Sequence, residues 1–362
     1  MLNTTPMTRR SVPPAQLHDT WRQWHTHEPG LRARDLAHCL GVSEGELVAC
    51  RVGDAVMRLD GPWDELIREL PTLGPVMVLT RNEGCVHEKV GKFGNIDLGP
   101  ATGVVLNDAI DLRIYLTHWR HGYAVTDMAR GCKRDSLQFF DADGTAIHKI
   151  HRTGATDFSA WLRLTSRFAA GVQTPLFEPR TVADPLPHLL TDAAVDVPSL
   201  RAGWRAMRDG PHEFHDLLHR HRVTRVQAAR LVGHDLARRV DNAAVRRVLE
   251  QARDSGLSIM ALTASPGVVQ IHNGPVHRIK QTGDWLNVLD DGFNLHLRTD
   301  LVAESWVVEK PCQDGPVRSL EAYDADGTPL LQLFGMRQPN TPQQPAWHAL
   351  LERLPTRERA AG

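Results

Sequence analysis

The chain has 362 residues, 41% of them hydrophobic and 23% charged, with 42 basic against 43 acidic side chains. That balance excludes a general electrostatic affinity for nucleic acid or an anionic membrane, so any anion site has to be built locally. The length suffices for two domains with separate cores, and no apolar run reaches the ~18 residues of a transmembrane helix. Five scattered cysteines without a C-x-x-C pair, and an N-terminal stretch lacking an apolar signal core, lead us to expect a cytoplasmic protein that is not membrane-embedded.

Helical periodicity marks residues 31–51 and 62–70. Within the first, Arg34 to Leu47 has the outline of a helix-turn-helix, with a Gly turn and Ser43 as cap. Its second helix carries Glu44 and Glu46 and no basic residue before Arg51, the wrong charge for facing phosphates. A structural helical hairpin is the better reading, and no specific nucleic-acid binding is expected. Ser136 to Phe140, an Asp-Ala-Asp-Gly turn, then Ala146 to His151 read as a β-hairpin. Residues 174–200 hold five prolines, which fix φ and remove donors, so this segment is expected to be a connector.

Beyond the connector, Asp209-Gly210-Pro211 supplies a capping carboxylate and a first-turn proline, and helical patterning runs over 212–255. Four histidines fall at positions 212, 215, 219 and 221. At 100° per residue Phe214, Leu217, Leu218 and His221 share one face, while His212, His215 and His219 cluster on the other. His212 lies in the first turn, where the helix dipole disfavours imidazolium, and a neutral imidazole is what a metal ligand requires. Two other readings of this face are plain solvated histidines and a zinc pair. The second would lie in His215-Asp-Leu-Leu-His219, whose Asp is one methylene shorter than the Glu of H-E-x-x-H.

The chain also repeats itself. Ser136-Leu-Gln-Phe-Phe-Asp-Ala-Asp-Gly-Thr145 returns as Ser319-Leu-Glu-Ala-Tyr-Asp-Ala-Asp-Gly-Thr328, an offset of 183. The same offset carries Leu79-Thr80 onto Leu262-Thr263, Gly84 onto Gly267, Gly91 onto Gly274, and Asp111-Leu-Arg-Ile114 onto Asn294-Leu-His-Leu297. Helices first and hairpins after, twice over, predict an α+β fold by tandem duplication. Each half is expected to be a mostly antiparallel sheet with flanking helices. The boundaries drawn are 1–173 for the first repeat, 174–200 for the connector and 201–362 for the second repeat.

Taken together, these segments resemble the HemS/ChuS/PhuS family of cytoplasmic haem-binding and haem-degrading proteins. The resemblance spans about residue 30 to 353. It is carried by Leu79-Thr-Arg-Asn82 with Val86-His-Glu88, Asp111-Leu-Arg113 through Trp119, and His212-Glu-Phe214 through Thr224-Arg225. Further support comes from Trp285-Leu-Asn287, Glu304-Ser-Trp306, Lys310-Pro311 and Gly335-Met-Arg337. It implies haem b bound between the halves, with His212 as axial iron ligand and Arg113 over the opposite face, where it would also be the catalytic residue. Arg113 occupies the position of His296 in the second copy, and an arginine there brings a fixed charge that cannot readily titrate away. Arg225, Lys310 and Arg337 are implied as partners of the two haem carboxylates. The family's Tyr-Gly-Gln-Arg string is Phe334-Gly-Met-Arg337 here, so a hydroxyl is missing at Phe334. His215 could act as an alternative ligand or be solvated. The implied function is haem degradation by oxidative ring opening, with a non-catalytic haem carrier as the alternative. Implied partners are an inner-membrane haem importer and a reductase or a separate haem oxygenase. No G-x-G-x-x-G follows a strand, so electrons would come from outside the chain.

Overall fold

The computed structural model describes residues 12–28, 32–129, 132–180, 189–208, 211–337 and 341–357. The chain divides into two compact units: Met1–Arg81, Glu88–Ala183 and Ser265–Val269 form unit 1, and Asn82–His87, Asp184–Ala264 and Gln270–Gly362 form unit 2. The strands assemble into two nine-stranded sheets. No helix among the described residues is long and apolar enough to cross a membrane.

Unit 1 begins with helices α1 (Pro14–His27), α2 (Ala33–Leu40) and α3 (Glu44–Ala49), followed by β1 (Val56–Leu59) and α4 (Trp63–Glu69). Strands β2 (Val76–Arg81), β3 (Cys85–Gly91), β4 (Ile96–Leu98), β5 (Thr102–Leu106) and β6 (Asp111–Tyr115) come next. The long hairpin β7 (His121–Ala129) and β8 (Cys132–Phe140), then β9 (Ala146–Arg152) and α5 (Phe158–Arg167) complete it. β3 is shared in sequence, its first three residues belonging to unit 2. Antiparallel pairing gives the order β1-β7-β8-β9-β2, and separately β4-β5-β6.

Unit 2 repeats this plan. Its helices α6 (Val197–Ala206), α7 (Pro211–His221) and α8 (Arg225–Leu231) lead into β10 (Ala237–Val240) and α9 (Ala244–Ser255). Then follow β11 (Ile259–Ala264), β12 (Val268–Gly274), β13 (Ile279–Thr282), β14 (Trp285–Asp290), β15 (Phe293–Arg298), β16 (Glu304–Lys310), β17 (Val317–Tyr323), β18 (Pro329–Gly335) and α10 (Pro345–Glu352). The pairing order β10-β16-β17-β18-β11, with β13-β14-β15 apart, reproduces that of unit 1 strand for strand. The duplicated α+β fold expected from the sequence is present.

Strand alternation sorts each sheet into two faces. In β17, Leu320 and Ala322 enter the core with α9 and α10, whereas Ser319, Glu321 and Tyr323 face the other way. Tyr323 joins Trp306, Val308, Phe214, Leu217 and Val226 in a second core under α6, α7 and α8. Unit 1 does the same: Leu137 and Phe139 pack with α4 and α5, and Phe140 packs with α3.

Two sequence expectations needed correction. The helical pattern over 212–255 is broken by β10, whose Ala237 and Val240 are buried and pair with Val308 and Ser305 of β16. Good helix formers such as Ala237, Arg238 and Arg239 yield there to a free sheet edge. Helices α1, α5, α6 and α10 lie outside the sequence's helical patterns. α5 and α6 start on side-chain caps, Asp157 accepting from Ala160 N–H and Asp196 from Ser199 N–H, while α1 and α10 start at prolines, and all four bury apolar residues.

Candidate ligand site

The helix pairs α2–α3 and α7–α8 are built alike. Gly41 (φ 70°) and Arg222 (φ 56°) end the first helix of each pair in left-handed conformation. Ser43 and Thr224 then open the second helix with a capping box, reciprocated by Glu46 and Gln227. Ser43 and Thr224 are 181 apart, not 183, so the repeat slips by two residues between the helix pair and the strands. That slip places Glu44 and Arg225 at equivalent first-turn positions with opposite charge.

Around Arg225 the second unit assembles a buried ion cluster. Glu321 is fully buried, and Lys310 Nζ donates to its Oε1 at 2.6 Å from a side chain that is 7% exposed. Ser319 Oγ donates to the same oxygen at 2.8 Å, and the Tyr323 hydroxyl donates to Oε2. Arg225 Nη1 lies 3.5 Å from Oε2, with its side chain 28% exposed. Burial alone would raise the Glu321 carboxyl, but Lys310 and Arg225 outweigh it and hold the group well below the usual carboxylate range. Burial lowers the Lys310 ammonium, with Glu321 opposing the shift. Apolar walls complete the cluster: the Phe214 ring lies 4.8 Å from the Arg225 guanidinium and 4.7 Å from Lys310 Nζ, and Phe334 lies 6.0 Å from Lys310 Nζ.

The structure therefore brings Arg225, Lys310 and Phe334 together and places Arg337 in a separate set of contacts. Arg337 Nη2 donates to Asp314 at 2.7 Å, Nε to the Thr341 carbonyl at 3.0 Å, and Nη1 approaches Cys312 Sγ at 3.5 Å. Neither Lys310 nor Arg337 is the solvated surface charge that each would suggest in isolation. Glu321, Ser319, Tyr323 and Phe214 had no functional assignment from sequence. Their signal lay in the Ser319-Leu-Glu-Ala-Tyr323 alternation, which puts a carboxylate on an inward strand position where the first repeat has Gln138.

His212 lies in the first turn of α7, and its side chain, like the Asp209-Gly210 cap, is outside the described residues. Phe214, Leu217 and Leu218 of this helix are buried, whereas His215 and His219 are exposed, as the helical wheel requires. In unit 1, Arg113 stands on β6 opposite Val104, its side chain 39% exposed and paired with the buried Asp111 carboxylate. At the equivalent place in unit 2, His296 Nδ1 lies 2.6 Å from Asn287 Oδ1.

Unit 1 carries the inverted cluster. The buried Glu44 carboxylate meets Lys149 Nζ at 2.5 Å and the Arg81 guanidinium. Burial pushes Glu44 up, yet Lys149 and Arg81 bring its carboxyl down to about 2. A negative first-turn residue neutralised from the sheet offers nothing to an anion, and it buries the face that a helix-turn-helix would need.

A duplicated α+β protein with a partly open guanidinium set against an aromatic ring and an internal ion pair is the class that fold and site define. The profile of the haemin-degrading HemS/ChuX domain matches residues 41–168 and again 222–354. The chain belongs to the HemS/ChuX family. It is 39% identical over 349 residues to the hemin transport protein HmuS of Yersinia pestis, covering 96% of this chain and 99% of that one. Among solved structures, holo-PhuS, a heme-binding protein from Pseudomonas aeruginosa, superposes with a TM-score of 0.90 at 42% identity, covering 96% of this chain and all of the other. The heme-degrading enzyme ChuS of Escherichia coli O157:H7 gives 0.89 at 35% identity, covering 95% and 100%.

Proposed function

We propose that this chain is a cytoplasmic haem-binding protein of a bacterial haem-uptake system that opens the bound porphyrin oxidatively to release iron. The observation that carries haem binding is the Arg225–Lys310–Glu321 cluster. It leaves one guanidinium partly open beside Phe214, with Phe334 near the Lys310 ammonium behind it, which suits an apolar ligand with a carboxylate at its edge. On the family resemblance, His212 would hold the haem iron and Arg113 would be the catalytic residue. The ligand taken is haem b.

Bound haem supplies the oxygen-activating chemistry itself. Unit 2 would bind and orient it: Arg225 would hold a carboxylate, Phe214 and Phe334 pack against the cations of the ion cluster, and His212 is the residue that the resemblance assigns to the iron. Arg113, paired with the buried Asp111 carboxylate, would contribute a guanidinium on that side. A reductase or small reductant is the implied electron source, and an inner-membrane haem importer the implied donor of haem. Haem delivery without cleavage is the second reading, favoured by the relative named as a transport protein.

The deciding experiment is a visible spectrum of haem-loaded protein followed with reductant and oxygen, with and without catalase. Loss of the Soret band that persists with catalase supports ring opening by the protein. A stable spectrum, with transfer of haem to a separate haem oxygenase, would establish the carrier. His212→Ala should weaken binding and shift the Soret band, while His215→Ala should do neither. The reverse result would move the ligand one turn along α7. Arg113→Ala should leave haem bound but slow or misdirect cleavage; unchanged turnover and spectrum would remove it from the site.

A further inference from the structure

We propose that unit 1 carries a binding site for a phosphate group at the β1–β7 edge of its sheet, formed by Arg58, Arg120 and Arg180 around His121. Nothing in this site depends on what unit 2 binds.

β1 is the edge strand, and its register sets Arg58 opposite Tyr123, on the face where His121 is the diagonal neighbour. The chain beyond α5 is tied to that edge at three points. Gln173 Oε1 accepts from the Arg58 N–H at 2.8 Å, while its Nε2 donates to the Arg58 carbonyl at 2.9 Å. The Phe177 ring centroid lies 4.3 Å from that of His121. The Arg180 N–H then donates to the Ala142 carbonyl at 2.8 Å. These ties carry Arg180 to the His121 end of β7, where the Arg120 N–H donates to the Phe140 carbonyl at 3.0 Å. Burial, reinforced by Arg58, Arg120 and Arg180, lowers the His121 pKa from 6.5 to about 4. The ring is therefore neutral at pH 7 and brings no charge of its own.

The three guanidiniums are poorly matched from within. Among the described residues Asp60 is the one carboxylate paired with any of them, 3.7 Å from Arg58 Nε and 58% exposed. Glu178 lines a separate cavity with Val12, Pro14 and Leu17 beside α1. Arg120 and Arg180 are exposed.

The second copy has the same edge closed. Arg239 stands opposite Trp306 as Arg58 stands opposite Tyr123, and Glu304 takes the place of His121, 183 residues on. Glu304 lies 3.9 Å from Arg239 Nη2 and 3.6 Å from Arg230 Nε, and it accepts from the Trp306 indole N–H at 2.8 Å. Unit 2 thus supplies its own carboxylate, whereas the neutral ring in unit 1 leaves its arginines to an outside anion. Three guanidiniums against one exposed carboxylate suit a dianion. A phosphate group carries about −1.5 to −2 charge at pH 7 and accepts bidentate pairs from guanidinium forks, whereas a carboxylate brings a single charge.

The test is isothermal titration calorimetry of the full-length protein with inorganic phosphate, phenyl phosphate and acetate, in a buffer free of other oxyanions. Both phosphates should bind about tenfold or more tightly than acetate. Equal affinity for the two supports a site for free phosphate, and tighter phenyl phosphate supports one for an organic phosphomonoester. Arg120→Gln and Arg180→Gln should each weaken phosphate binding by about five- to tenfold. His121→Glu, which copies the arrangement of unit 2, should weaken it by about 30-fold or more. Arg239→Gln, at the self-neutralised place in unit 2, should leave it within about twofold of wild type. The two arginine variants change exposed side chains, so they decide the matter even if His121→Glu does not fold. No heat with either phosphate, phosphate binding no tighter than acetate, or binding unchanged by the arginine variants would each overturn the proposal.

Discussion

Replacing His148 with leucine should make unit 1 less sensitive to acid. His148 is 2% exposed; its Nδ1 bonds Thr80 Oγ1 at 2.8 Å, and Nε2 has no hydrogen-bond partner among the described residues. Burial, with a smaller contribution from His151, brings its pKa from 6.5 down to about 3. The ring is therefore neutral in the folded state at every pH of interest, and only the unfolded chain takes up the proton. Stability from this group is complete above pH 6.5, declines as pH falls below that value, and stops declining near 3. Between pH 7 and 5 the loss integrates to about 2 kcal/mol. The second repeat has Leu331 at the equivalent position, so His148→Leu borrows a solution the fold already uses. It leaves the Thr80 hydroxyl unpaired, but that cost is the same at both pH values. Urea unfolding followed by tryptophan fluorescence suits the measurement, since the Trp119 ring centroid lies 6.3 Å from that of His148. Wild type should lose about 2 kcal/mol more than the variant between pH 7 and 5. Equal losses would show that His148 is not held neutral, and the reasoning would fail.

Glu44→Gln leaves the largely covered Lys149 and Arg81 without their buried counter-charge and should cost about 3 kcal/mol at pH 7, measured as the shift in urea midpoint. Because the Glu44 carboxyl is held down to about 2 from 4.5, the stability it contributes is complete above pH 4.5 and disappears as pH falls towards 2. The gap between wild type and variant should narrow over that range. Gly335→Ala would set a Cβ 2.5 Å from Trp347 Cγ and should destabilise unit 2 by about 1–3 kcal/mol in the same assay. Phe334→Tyr restores the hydroxyl of the family's string beside Lys310 and should tighten haem binding by a few-fold at most in a Soret titration; weaker binding would place the ligand edge elsewhere.

The duplication was legible without coordinates, because two copies of one hairpin motif at a constant offset leave little room for chance, and alternation with turn residues specified the strands between. The helical hairpin at 34–47 was legible for a similar reason, since Ser43 with Glu46 is a local capping signal. The family was legible from many short segments in order. None of these depends on what lies across the fold. The ionic pairing did depend on it. Arg225 and Glu321 are 96 residues apart in sequence, and no local pattern reveals that Glu321 is internal or that it claims Lys310. Charges in water and charges in a core look alike in a sequence; burial decides whether they are free, because a desolvated charge has to be neutralised from nearby. The same physics broke the predicted helical run at β10, where an open sheet edge outweighed helix propensity. It also gave the two repeats inverted clusters around equivalent helix starts, Glu44 with Lys149 and Arg81 in one, Arg225 with Glu321 and Lys310 in the other. The sequence determined two copies of one domain, and tertiary packing decided which copy keeps a cation partly open.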